Sequence, residues 1–274
     1  MKSDLKKRYT KCPECGSGEI DHYVTGLNAC KSCGNVWRVK NEKRNTVLGF
    51  TTFGANDTEL KILYDNEAME GFRRGFGFSC LVEEKKILFD TGGDVGTLLF
   101  NMRKFMINPR NIDKIVLSHE HGDHTGGIQI LDYCGDVEVF VPRSFSSRFK
   151  KRLASHPNVN LNEIGGAEEI CEGVFTTGQL GHFIKEQTLI VKTGNGLTVI
   201  TGCSHSGLEN ILRVSSRFGD IYGVVGGFHG FSKLETLKEI RLIVPCHCTV
   251  RKREILSLYP ESSMKCSAGC RIKI

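Results

Sequence analysis

The sequence predicts an α/β (α+β) chain preceded by a small segment folded around a metal. Three observations predict it. From about residue 46, β-rich segments alternate with amphipathic ones in two successive blocks, the pattern of helices layered on sheets. A run of three histidines and an aspartate at 119–124 follows directly on an apolar, β-branched segment. Two Cys-x-x-Cys pairs stand within the first 33 residues.

The cysteine pairs come first in the chain. Cys12-Pro-Glu-Cys15 and Cys30-Lys-Ser-Cys33 can each place two sulfurs on one metal from a tight turn, and Gly16 and Gly34 supply the positive φ such turns need. Four thiolates make a closed tetrahedral site, so the expectation is a structural Zn2+ with no catalytic role, a rubredoxin-like iron being the alternative. The segment resembles a zinc ribbon, and in so short a piece metal binding would supply much of the folding energy. The polar run 38–45 reads as a linker, giving expected domains of 1–44 and 45–274.

Charge separates the same two parts. Residues 1–44 hold ten Lys/Arg against five Asp/Glu, a net +5, whereas the other 230 residues hold 27 against 26. A nucleic-acid partner would have to use that basic N-terminus; a solvated basic segment is the simpler account. The 274 residues include 39% hydrophobic and 25% charged ones, enough for a large core. No apolar run reaches the 18 or so residues that span a bilayer, and MKSDLKKRYT lacks an apolar signal region. A membrane partner is therefore not expected, a cytoplasmic location is, and oligomeric state is left open.

In the main domain, residues 46–53, 60–64, 77–84 and 85–90 read as strands. Residues 94–107 fit an amphipathic helix, and KIVLSH (114–119) is a buried strand leading into the histidines. Further strands are expected at 137–142, 189–193, 197–202, 220–227 and 241–245, and further helices at 125–132, 145–154, 207–218 and 249–258.

The run His119-Glu120-His121-Gly122-Asp123-His124 carries the chemistry. Three imidazoles and a carboxylate in six residues suit Zn2+, with Fe or Mn as alternatives, and Gly122 lets the backbone bend between them. His205 and His247 each follow an apolar strand, as His119 does, and strand ends are where α/β sheets gather ligand sites. His229 ends another strand and is expected to line the same cleft, as a substrate contact or proton carrier.

The motif is similar to the HxHxDH signature of the metallo-β-lactamase superfamily, over roughly residues 46–274. Leu88-Phe89-Asp90-Thr91-Gly92 and VLSHEHGDHTGG (116–127) follow that pattern. Ile62–Asn66, Gly77-Phe78-Ser79, Thr201–His205, Gly226–His229 and Pro245–Thr249 resemble a branch that includes dihydropterin–aminobenzene phosphate synthases of methanopterin biosynthesis. The resemblance implies a four-layer αββα sandwich with one or two ions in a cleft at the sheet edge. It implies His119, His121 and His205 as one ligand set and Asp123, His124 and His247 as the other. Asp90 would orient a ligand, and Asp123 and His229 would serve catalysis.

One departure narrows what the resemblance implies. Two-metal hydrolases of the superfamily carry a bridging Asp after a Thr-Gly, where this chain has Cys203, either a thiolate ligand or a small buried residue. Cys246 and Cys248, at period two around His247, are expected to point away from it and pack. The expected activity is hydrolysis of an ester or phosphoester by hydroxide generated on the metal. The alternative is a transferase joining a pterin methyl diphosphate to an aminobenzene ribofuranosyl phosphate with loss of pyrophosphate. Nucleic-acid processing is the second alternative. The substrate is expected to be a small molecule; a phosphorylated one would find basic partners in Arg73, Arg74, Arg143, Arg148 and Lys150–Arg152.

Overall fold

The structure, a computed structural model, describes residues 11, 17, 18, 20–22, 27–30, 36–38 and 58–274. These fall into two compact units, within residues 1–52 and 53–274. In the first, β1 (Ile20–His22), β2 (Leu27–Cys30) and β3 (Val36–Arg38) pair antiparallel in that order. Cys12, Cys15 and Cys33 lie outside the described residues, as do the expected boundary at 44/45 and the expected strand at 46–53; Cys30 is described only as the backbone end of β2.

The second unit is built on two mixed sheets. In the first sheet β4 (Glu59–Tyr64), β5 (Ser79–Val82) and β6 (Ile87–Phe89) run antiparallel. The chain then crosses through α1 (Val95–Lys104) to β7 (Lys114–Val116), through α2 (Gly122–Thr125) to β8 (Val137–Pro142), and through α3 (Ser147–Ala154) to β9 (Val159–Ile164), all parallel to β6. In the second sheet β10 (Glu168–Cys171), β11 (Val174–Thr176), β12 (Leu189–Thr193) and β13 (Gly196–Thr201) form an antiparallel meander. After α4 (Leu208–Ser215) come β14 (Ile221–Gly227) and β15 (Leu242–Cys246), parallel to β13. α5 (Lys252–Leu258) follows, and β16 (Arg271–Lys273) returns to pair with β4.

The strands read as near-continuous apolar runs because both faces of each sheet are covered. Leu60, Ile62, Phe89, Val116 and Phe140 of the first sheet meet Leu189, Ile200, Val225 and Val244 of the second in a central core. Leu98 and Met102 of α1 and Leu153 of α3 cover Leu63, Leu88 and Val139 on the outer face of the first sheet. Leu208, Ile211 and Leu212 of α4 and Ile255 of α5 cover Val199, Val224 and Ile243 on the outer face of the second. The result is the expected αββα sandwich. No helix among the described residues is long and apolar enough to cross a membrane.

Local chemistry sets the element ends near the cleft. α1 begins where Asp94 accepts Thr97 N at 2.7 Å, and Asp94 also receives the Tyr64 hydroxyl at 2.7 Å. The strand expected to reach His119 stops at Val116, because the Ser118 N–H leaves the ladder and donates to Asp90 Oδ1 at 2.6 Å. The helix expected at 125–132 is instead the single turn α2 and a 3-10 turn at Ile128–Asp132, separated by Gly126 and Gly127. Both glycines press on the segment after β6. A Cβ on Gly126 would collide with the carbonyl oxygens of Gly93 and Gly122, and one on Gly127 with that of Thr91. Gly126→Ala is therefore expected to destabilise the chain by about 1–3 kcal/mol through overpacking. A urea midpoint equal to that of the parent would contradict this.

Candidate metal centre

Five parallel-strand ends meet at one edge of the sandwich. β6 delivers Asp90, β7 delivers His119, and β13, β14 and β15 deliver Cys203 to His205, His229 and His247. Asp90 (φ 54°), Ser204 (φ 61°), His229 (φ 45°) and His247 (φ 40°) all adopt the left-handed backbone conformation, which bends the chain sharply at the cleft. The turns are held by groups outside the ligand sets. Asp65 Oδ1 accepts His247 N at 2.6 Å, Ser204 Oγ donates to Gly227 O at 2.7 Å, and Val250 N donates to His229 O at 3.0 Å.

The expected ligands form two adjacent groups. The facing nitrogens of His119, His121 and His205 lie within 4.8 Å of one another, as do the donor atoms of Asp123, His124, Cys203 and His247. In the first group His119 Nε2 and His121 Nδ1 are 3.1 Å apart. In the second, Asp123 Oδ2 is 2.9 Å from His247 Nε2 and 3.5 Å from His124 Nε2, and His124 Nε2 is 3.1 Å from Cys203 Sγ. The His119 and His124 rings, 4.3 Å apart, join the groups.

Three of the rings are turned the same way by neighbours. Ser118 Oγ donates to Asp90 Oδ2 at 2.7 Å and so accepts from His119 Nδ1 at 2.8 Å. His124 Nδ1 donates to Asp90 Oδ2 at 2.7 Å, and His247 Nδ1 to Asn66 Oδ1 at 2.8 Å. Each bond leaves the Nε2 lone pair facing the cleft, the arrangement of metal-binding imidazoles. Glu120 points elsewhere, its carboxylate accepting Ser146 N and Oγ at the start of α3.

The residues fit a bound cation. His205 Nε2 is buried with no hydrogen-bond partner, and two imidazole nitrogens face each other in the first group. Burial, together with the His124, His121 and His205 rings, holds His119 far below the ordinary histidine range, so its nitrogen offers a lone pair rather than a proton. Burial and the nearby His229 and His121 rings lower His205 to about 4. His124 goes the other way: burial opposes its charge, but Asp90 and Asp123 outweigh burial and raise it to about 9. Asp123 is held well below the carboxylate range; burial opposes the shift, and hydrogen bonds from His124 and His247 outweigh it.

The other histidines and cysteines of the second unit have their own surroundings. His229 is exposed at the mouth, its ring 4.9 Å from that of His205. His182 lines a cavity of about 720 Å³ with Phe183, His205 and Ser206. His156 lies away from the centre, its Nδ1 3.5 Å from Asp132 Oδ1. Cys246 packs in the central core as expected, but Cys248 does not point away: its Sγ is 3.3 Å from Cys203 Sγ. The alternation fails there because the strand ends at Cys246 and His247 is left-handed. Cys266 is buried beside Asp65 and Cys246, and Cys270 packs at the edge of the core, its Sγ 3.3 Å from Ser267 Oγ.

Sequence reasoning missed a second cavity, of about 730 Å³, that opens at His247 and Asn66 and carries Arg251, Lys252, Arg253 and Lys265. Its acids are engaged, Glu254 with Arg251 at 2.7 Å and Glu67 with Lys252 at 3.5 Å. None of the basic residues expected to meet a phosphate lines either cavity. Exposed apolar rings also stand at the cleft: Phe76 lies edge-on to His247 at 4.9 Å, and Phe183 is fully exposed beside His205.

Comparison with known proteins places this geometry. The sequence profile of the metallo-beta-lactamase superfamily matches residues 73–247. The chain is 30% identical to the 7,8-dihydropterin-6-methyl-4-(beta-D-ribofuranosyl)-aminobenzene-5'-phosphate synthase of Methanocaldococcus jannaschii, an alignment covering 78% of this chain and 96% of the relative. A solved structure described as a metal-dependent hydrolase of the beta-lactamase superfamily is 29% identical, with a TM-score of 0.64 over 79% of this chain and 99% of that one. The metallo-beta-lactamase fold protein YhfI from Bacillus subtilis shares the fold at 13% identity, with a TM-score of 0.58 over 80% and 100% of the two chains.

Proposed function

Since the chain belongs to the metallo-beta-lactamase superfamily, we propose that it is a metal-dependent transferase joining a pterin methyl diphosphate to an aminobenzene ribofuranosyl phosphate. The observation that carries this reading is the cleft itself: a histidine-lined centre flanked by a cationic cavity at His247 and an aromatic-rimmed cavity at His205. A substrate with a phosphate at one end and a planar ring at the other fits that division. The M. jannaschii relative and the absence of a bridging carboxylate at Cys203 support transfer over hydrolysis.

His119, His121 and His205 would hold one ion and Asp123, His124, Cys203 and His247 a second, zinc being the expected metal. Such ions, when bound, supply Lewis acidity toward a departing phosphate or an attacking group. Asp90, Ser118 and Asn66 fix the imidazoles that would carry them. The amine nitrogen of the aminobenzene would attack the methylene carbon as the C–O bond to the diphosphate breaks, pyrophosphate leaving with the electron pair. Asp123, held ionised, accepts a hydrogen bond from the attacking amine and orients it. The proton the amine then sheds passes to solvent by way of His229, at the mouth. Arg253 and Lys265 take the phosphate oxygens, and Phe183 and Phe76 bear on the rings.

In this reading Arg253→Ala and Lys265→Ala each raise KM for the phosphorylated substrate about tenfold, the worth of an exposed charge-assisted hydrogen bond, with kcat little changed. Steady-state kinetics check the split; an unchanged KM in the double variant would remove the cavity from the substrate path.

Hydrolysis of an ester or phosphoester is the second reading, favoured by the 29% identical structure described as a hydrolase. One experiment separates the two. The metal-replete chain is given the pterin methyl diphosphate with and without the aminobenzene ribofuranosyl phosphate. Pyrophosphate release that requires both, with the joined product seen by mass spectrometry, supports transfer. Phosphate or pyrophosphate release without the second substrate supports hydrolysis. No turnover in either mixture would overturn the transferase reading.

A further inference from the structure

We propose that Cys203 and Cys248 act together as a two-thiolate face for the ion held by His124 and His247, making this half of the centre selective for a thiophilic transition metal. The inference rests on the metal centre and is independent of the substrate.

Cys203 is 3% exposed, and its Sγ lies within 4.8 Å of the donor atoms of Asp123, His124 and His247. Cys248 reaches Cys203 from another strand, because the left-handed turn at His247 swings the next side chain back, bringing the two sulfurs to 3.3 Å. Two thiolates on one tetrahedral ion with metal–sulfur bonds of about 2.3 Å stand about 3.8 Å apart, a change of only half an ångström or so.

Space is kept for the pair. A Cβ on Gly227 would sit 2.7 Å from Cys248 Sγ and 3.3 Å from Cys203 Cα, so a larger residue there would displace the sulfur. The neighbouring backbone is fixed, Gly227 O accepting both Thr201 Oγ1 at 3.0 Å and Ser204 Oγ at 2.7 Å. The contrast with the other thiols is informative. Cys80 is buried in the central core, and Cys246 and Cys266 lie there beside Asp65, away from every imidazole of the centre. Cys203 instead faces an imidazole nitrogen at 3.1 Å, and Cys248 faces Cys203.

Two imidazoles and two thiolates form a soft donor set that favours zinc, iron or cobalt over magnesium, calcium or manganese. Cys248 then takes the fourth place that Asp123 would otherwise fill, and Asp123 stays beside the ion as a hydrogen-bond acceptor, 2.9 Å from His247 Nε2. Where a carboxylate would bridge two ions, this chain places sulfur on one of them.

Cobalt substitution tests the proposal in the full chain, without reference to activity. The parent, Cys203→Ser, Cys248→Ser and the double variant are loaded with Co2+, and sulfur-to-cobalt charge-transfer absorption is read as parent-minus-variant differences. The N-terminal cysteines are common to all four and cancel. Each single variant is expected to lose about half of the band lost by the double variant. A Cys248→Ser spectrum identical to the parent's would overturn the thiolate pair, and parent-like spectra from both single variants would remove sulfur from the site. Should a variant misfold, alkylation of the parent followed by peptide mapping tests the same pair. Zinc is expected to protect Cys203 and Cys248 alike, and equal labelling of Cys248 with and without zinc would sink the proposal.

Discussion

Replacing Asp90 with alanine is expected to destabilise the metal-free chain by about 3–5 kcal/mol, the cost of breaking a buried, charge-bearing network. Asp90 is fully buried and accepts Ser118 N at 2.6 Å, Ser118 Oγ at 2.7 Å and His124 Nδ1 at 2.7 Å. Alanine would leave a backbone N–H, a hydroxyl and a charged imidazole without that partner in the interior. The effect should depend on pH. His124 is raised in the folded chain to about 9, above its unfolded value of about 6.5, so its ion pair stabilises fully below about pH 6.5 and fades as pH rises through about 9. The gap between parent and Asp90→Ala, read by urea unfolding in the presence of chelator, should therefore narrow from pH 6 to pH 9. A gap under about 1 kcal/mol at both pH values would contradict the network's assigned weight. Asp90→Asn keeps the shape and loses the charge; its expected cost is a 10- to 100-fold drop in metal affinity.

His121→Ala should act on activity and leave stability nearly intact. The ring nitrogen 3.1 Å from His119 Nε2 would be the third ligand atom, and without it His119 and His205 alone would face that ion. Losing the Lewis acid forfeits several kcal/mol of transition-state stabilisation, which corresponds to a fall of about a thousandfold or more in turnover. Metal content by element, measured on the parent, on His121→Ala and on residues 45–274, is the physical check. Two or more ions are expected in the full chain, one or more in the shorter piece, and fewer in the variant than in the parent. Full activity in His121→Ala in any assay where the parent is active would end the metal-catalysis reading for that activity.

What the sequence reveals follows sequence distance. The run 119–124 is local, so its donors and the bend at Gly122 are legible from spacing alone, and His205 and His247 announce themselves by following apolar strands. Buried strands such as β8 and β12 match their apolar runs residue for residue, because both faces are covered. Of the four missed strands of the second unit, β9, β10 and β16 lie at sheet edges, where backbone pairing holds polar segments such as VNLNEI and EEIC that carry no burial signal, and β11 lies inside its sheet but is only three residues long. The groups that orient His247 are Asp65 and Asn66, 182 and 181 residues away, and only the tertiary fold brings them there. The same holds for the basic residues from 251 to 265, which meet the cleft because β15 ends beside it. Cys248 was hidden for a different reason: one left-handed residue cancels the period-two rule on which its expected direction rested.

The turns that carry His205, His229 and His247 are fastened by Asp65, Thr249, Gly227 and their neighbours, none of which is in a ligand set. The shape of the cleft thus rests on hydrogen bonds that no bound ion has to supply. A substitution at Asp65 or Thr249 would therefore displace donors it never touches, and damage to the centre can begin in residues that a list of ligands leaves out.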